Sequence, residues 1–284
     1  MLSAEETQLV RASVREIAHA VDRLTRTAVN EPAPTSKARS YATSESNLRS
    51  FDGVHGIVEE AYFSVLLATS SGVDHVKAFT ATLGGGHGTV ALGTLVRSAV
   101  EAFAKSHHLL SAKTSEDLIG RHIALTAHEL TFPLRYSRFQ QGDGTITDGQ
   151  SYPKLHRAIA HELGLPPIQV PSVQSRVSSL LTAGSTGLDV DGDVYSGLSG
   201  AAHAVTSALG MYMLRDGTAR YEYPRAIAFE QVGYLFVGIA VVAELVIDVF
   251  QPAQANRDRW MGARQRAEAA LRQIADAVER GDGT

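Results

Sequence analysis

Cysteine is absent from the 284 residues, which removes disulfide frameworks, thiolate metal sites and cysteine nucleophiles together. A basic excess is lacking too. The formal charge is −4 and the pI about 6.3, which argues against a general nucleic-acid-coating protein and leaves room only for a local basic groove. The first residues, MLSAEETQLVRASVREIAHAVDRL, contain no continuous apolar core. They do not read as a signal peptide, and a cytoplasmic location is the expectation. Long apolar runs are scarce. Gln231 to Ala243 is uncharged but covers only 13 residues, against about 20 for a bilayer span. Glu230 before it, with Glu244 and Asp248 after it, gives one polar edge, so a buried core helix with no membrane role is expected.

The familiar chemical signatures are missing as well. Gly84–Gly88 precedes a helix, but Thr89 stands where a phosphate-binding P-loop needs Lys. Asp189, Asp191 and Asp193 hint at a calcium loop, yet its sixth and twelfth positions hold Val194 and Gly200. His128-Glu129 opens like HExxH, with Phe132 in place of the second His. His156 and His161 diverge on a helix, and His107-His108 cannot face one ion from one helix. No GxSxG elbow surrounds Ser199. No metal, no cofactor and no DNA-binding motif are expected.

What the chain does have is helical periodicity nearly throughout. Helices are expected at roughly 4–29, 48–70, 88–111, 116–139, 152–164, 173–184, 193–214, 224–250 and 252–280. The fold class is therefore all-α, a single helical bundle of about eight or nine helices. Ser3 with Glu6 forms a capping-box pattern, and Thr114-Ser115-Glu116 and Asp193 are further N-terminal signals. Pro133 is expected to kink or end its helix. QGDGTITDGQ (141–150) reads as an exposed loop. Residues 1–47, a helix followed by the proline-rich EPAPTSK link, could form a lid or dimerisation arm beside a bundle domain over 48–284.

Asp193 to Leu214 is the most distinctive segment. Gly197, Gly200, Ala201, Ala202, Ala204, Ala208 and Gly210 leave it little bulk, while Tyr195, Ser199 and His203 form one i, i+4, i+8 stripe. Such a stripe is expected to press against other helices. Earlier in the chain, Arg97 and Glu101 are also spaced i, i+4, within a polar stripe of Thr94, Arg97, Glu101, Lys105 and His108. Taken alone, that stripe reads as a solvated helix face. Arg121 and His128 stand about two turns apart and match a loose R-x(4–6)-H pattern, with polar His122 following the Arg.

The combination of LVRSAVEAFAKSHHLL (95–110), the helix bearing Arg121, and YSGLSGAAHA (195–204) resembles a large group of bacterial all-helical proteins of the HEPN-like kind. The resemblance spans roughly residues 50 to 250 and implies a HEPN-like core in which Arg97, Glu101, Arg121, Tyr195, Ser199 and His203 converge. It departs from the HEPN nuclease pattern in two respects: that motif usually sits on a late helix whereas Arg121 and His128 are mid-chain, and no Arg lies between Val194 and Ala202, just before His203. The activity it implies is metal-independent RNA cleavage. His203 would be the acid or base, Arg97 or Arg121 would bind phosphate with Glu101 orienting one of them, and Tyr195 and Ser199 would supply hydrogen bonds. A homodimer, an RNA or antitoxin-like protein partner and a toxin or phage-defence role go with that reading. Two alternatives stand beside it. One is a non-catalytic scaffold whose polar network fixes helix register while a groove binds a protein or small molecule. The other is a small-molecule enzyme with its pocket between the 88–111 and 193–214 helices.

Overall fold

Why this chain forms a bundle is clearest at its ends, where local capping and distant burial agree. The computed structural model describes residues 2–44, 56–84, 89–129, 138–140, 146–148, 152–166, 169–184, 193–202 and 224–279. Helix α1 (Ala4–Asn30) opens with the expected capping box: Glu6 N–H donates to Ser3 Oγ at 3.1 Å, and Ser3 N–H donates to Glu6 Oε2 at 2.7 Å. Val10, Val14, Ile17, Val21 and Leu24 line its inner face and are at most 1% exposed. Glu6 is ion-paired with Arg225, and Arg266 Nε donates to Glu16 Oε1 at 2.9 Å. Arg26 Nη2 reaches Ser70 Oγ at 3.0 Å. Helix α1 is thus part of the core, because its apolar face is buried by three other helices.

After α2 (Lys37–Ser44) come α3 (Ile57–Thr82), α4 (Thr89–Leu110) and α5 (Ser115–Glu129). Two departures from the expected boundaries have physical causes. Helix α3 runs to Thr82 instead of stopping near residue 70, because Ser70 is held by Asp22 and Arg26 of α1 and Gly72 lets the Phe103 ring lie against its backbone. Helix α2 lies within what reads as a link; Ser36 Oγ accepts from Arg39 N–H at 3.2 Å and starts it. Helix α5 is described to Glu129, and Pro133, expected to kink or end it, lies outside the described residues. Two three-residue strands, β1 (Arg138–Gln140) and β2 (Ile146–Asp148), then pair antiparallel where a helix end and an open loop were expected.

The remaining described helices are α6 (Tyr152–Glu162), α7 (Val173–Gly184), α8 (Asp193–Ala202), α9 (Arg225–Phe250) and α10 (Gln254–Glu279). Among the described residues the protein is helical apart from that hairpin. Helix α9 is long and apolar enough to cross a membrane, and 56% of its most apolar stretch is buried inside this fold. It serves here as a core helix against α1, α4 and α7. Phe103 of α4 is fully buried between α3 and α9. A Cβ on Gly72 would sit 2.7 Å from its ring, and one on Gly238 would sit 3.2 Å away. Glycine on both sides lets three helices close on one aromatic ring. Helix α4 therefore sits at the centre, with its apolar face on α3 and α9 and its polar stripe under α5, α7 and α8.

Candidate functional site

The stripe along α4 is covered by other helices along most of its length. Thr94, at its start, is exposed, but the Arg97 and Glu101 side chains are only 18% and 30% exposed. Three groups meet at one carboxylate oxygen. Arg97 Nε donates to Glu101 Oε1 at 2.6 Å, and Tyr195 Oη donates to the same oxygen at 3.0 Å. Arg97 Nη2 in turn donates to Tyr195 Oη at 3.2 Å, with the guanidinium carbon 5.4 Å from the Tyr195 ring centre. Burial works against the Arg97 charge, but the bond and charge of Glu101 outweigh it and hold the guanidinium more basic than usual. Burial, followed by the Glu101 charge, pushes the Tyr195 phenol upward, so it remains a protonated donor. A solvated face is not what this stripe became, because α8 packs over it.

Tyr195 comes from the first turns of α8, whose small residues permit that close packing. Ser199 lies one turn further on, half-buried and without a hydrogen bond among the described residues. His203 lies outside the described residues. Of the six expected residues, then, Arg97, Glu101 and Tyr195 are brought into one cluster.

Arg121 is placed elsewhere. Its Nε donates to Asp117 Oδ1 at 2.7 Å, and its Nη1 donates to His108 O at 2.7 Å and Ser111 Oγ at 3.0 Å. It thereby satisfies a carbonyl left open at the C-terminus of α4 and shares no hydrogen bond with Arg97, Glu101 or Tyr195. Asp117 is itself fixed by accepting from Lys113 N–H at 3.0 Å, while Thr114 Oγ1 accepts from Asp117 N–H at 3.1 Å. His128 is exposed on the last turn of α5. His122 is buried and faces α3, with Nε2 3.6 Å from Glu60 Oε1.

Arg121 borders a different feature, a cavity of about 470 Å³ between α4, α5 and α7. Arg176, His107 and His108 also line it, and sequence reasoning did not single them out as a group. One signal was available: Arg176 is the single charged residue of VQSRVSSLLTAG, an otherwise uncharged helix. Its Nη1 donates to Pro171 O at 2.7 Å, its Nε is buried without a partner, and it makes no ion pair among the described residues. Desolvation lowers its basicity, opposed only by the more distant charges of Glu129 and Glu101 and by Tyr195. Burial and the Arg121 charge lower the His107 pKa, and the same causes, with Arg176 added, bring His108 down to about 4. Both imidazoles are neutral near pH 7.

Among the described residues no three His, Asp or Glu side chains gather as metal ligands. Compared with protein families, curated proteins and solved structures, the chain matches none.

Proposed function

We propose that the protein is a metal-independent endoribonuclease of the HEPN-like kind, with Arg97, Glu101, Tyr195, Ser199 and His203 as its site. The observation that carries this reading is the meeting of Arg97 and Tyr195 on Glu101 Oε1. Glu101 fixes the guanidinium beside the helix that leads into His203. A guanidinium held in that way is preorganised for the charge of a phosphorane. His203 takes the proton of a 2′-hydroxyl as its oxygen bonds to phosphorus. The P–O5′ bond breaks and the leaving oxygen takes a proton from water, giving a 2′,3′-cyclic phosphate and a 5′-hydroxyl, after which His203 returns its proton to solvent. Arg121, engaged at the end of α4, is left out of this chemistry. A role in a toxin–antitoxin or phage-defence system, with an antitoxin-like partner, accords with such an activity.

The test is incubation of the full chain with RNA in excess EDTA, followed by analysis of the product ends. Cleavage leaving 2′,3′-cyclic phosphate, abolished by His203→Ala in a chain with native melting behaviour, is the expected result. RNA left intact by the wild-type chain, or cleaved equally by His203→Ala, would sink the reading.

A scaffold is the second reading, because the Arg97 bonds to Glu101 and Tyr195 are both internal to the protein. A buried ion pair of this kind can fix register without any catalytic role. Tyr195→Phe separates the two. It removes one part-buried hydroxyl and its two hydrogen bonds, at a cost of about 1–2 kcal/mol. A scaffold would show that lowered stability alone, whereas the ribonuclease would also lose turnover.

A further inference from the structure

We propose that the cavity between α4, α5 and α7 is a binding site for the phosphate group of a nucleotide-sized ligand, held between Arg121 and Arg176. This stands independently of RNA cleavage at the Arg97 cluster, since Arg97, Glu101 and Tyr195 are not among the described residues that line the cavity.

The charge of the lining is unbalanced in favour of an anion. Asp117 is the one carboxylate there, and it is already engaged by Arg121 Nε and the Lys113 amide. Arg176 has no such counterion among the described residues, although burial penalises its charge. The Nη2 groups of Arg121 and Arg176 make no hydrogen bond to described residues. Two guanidinium groups with unused N–H donors suit a tetrahedral oxyanion, which accepts several short charge-assisted bonds. Ser175 and Ser179 of α7 add hydroxyl donors on the wall that carries Arg176, whereas the Ser111 hydroxyl already donates to His108 O.

Size decides between a bare ion and something larger. At about 470 Å³ the cavity falls in the range of small-molecule sites and far exceeds what inorganic phosphate would fill. The neutral rings of His107 and His108, together with Pro171, offer uncharged surface beside the guanidinium groups. A phosphate monoester bearing an organic body matches both halves of this lining. A phosphodiester within a nucleic-acid strand presents the same oxyanion chemistry.

Calorimetric titration of the full chain with uridine 5′-monophosphate, uridine and the unphosphorylated-end trinucleotide UpUpU tests the assignment. Saturable binding of the monophosphate or of UpUpU, with uridine at least about tenfold weaker, is expected from charge-assisted bonds. A preference for the monophosphate names a free nucleotide as the source, and a preference for UpUpU names a strand. Arg176→Gln should weaken whichever binds by about tenfold or more, and Arg176→Lys by less. Ser179→Glu places a carboxylate at an exposed position on the cavity wall and should weaken binding without disturbing the core. Binding of neither phosphate compound overturns the proposal. Equal affinities for uridine and its monophosphate, or binding unchanged in both Arg176→Gln and Ser179→Glu, also overturn it.

Discussion

At Gly72 a missing methyl group decides how closely α3 approaches α4. A Cβ there would lie 2.7 Å from Phe103 Cε1, well inside contact distance. The ring cannot simply retreat, because Gly238 of α9 already backs it and Phe103 is fully buried. Gly72→Ala gains up to about 1 kcal/mol of helix propensity but overpacks the core at a cost of about 1–3 kcal/mol. A lower urea midpoint with unchanged slope is expected, recovering in part when Phe103→Leu is added. A midpoint above wild type would show that the two helices do not touch as described. The same residue explains a limit of sequence reading. Nothing local marks Gly72 as a contact point, because the ring that needs the space is 31 positions away.

Individual helices were legible wherever local chemistry is sufficient to define them. The capping box of α1, the Thr114 cap before α5 and the Ser172 cap that starts α7 all follow from neighbouring residues. The polar stripe of α4 was visible in the sequence, but its periodicity cannot tell water from a covering helix. The resemblance pointed Arg97 and Glu101 toward a later tyrosine, and Tyr195 is indeed their partner. Arg176 was missed because its significance depends on making no ion pair among the described residues, a property of packing and not of spacing.

The lower end of α4 also makes stability depend on pH. His108 faces Arg121 and Asp117 of α5, Arg176 of α7 and its neighbour His107, and its folded pKa is near 4. An unfolded His titrates near 6.5. As pH falls through that value the unfolded chain takes up a proton that the folded chain refuses, so stability drops until about pH 4 and then levels off. The full contribution is present only above pH 6.5. Allowing for solvent screening at a part-exposed ring, the loss attributable to His108 is about 1–2 kcal/mol. Denaturant midpoints taken from pH 7.5 to 4 should fall less steeply for His108→Gln than for wild type. Parallel curves would mean that the ring is protonated freely in the folded state.

For the molecule as a whole, the question is what the first thirty residues contribute, since a helix followed by a proline-rich link suggests a removable arm. The packing argues for an integral strut. Five α1 side chains are at most 1% exposed, and burying each is worth about 1.5–3 kcal/mol. Their removal would also uncover the apolar faces of α3 and α9 that they cover. Polar contacts tie the same helix at several levels, through Glu6 to Arg225, Asp22 and Arg26 to Ser70, and Glu16 to Arg266. A net stability of 5–15 kcal/mol, usual for a domain, cannot absorb a loss of that size. A chain beginning at residue 31 should therefore lose its cooperative thermal transition and become sensitive to protease across α3 and α9. Supplying residues 1–30 as a separate peptide should restore part of both. A truncated chain that melts cooperatively near the wild-type temperature would return α1 to the status of an arm and open the α3 and α9 surfaces to another partner.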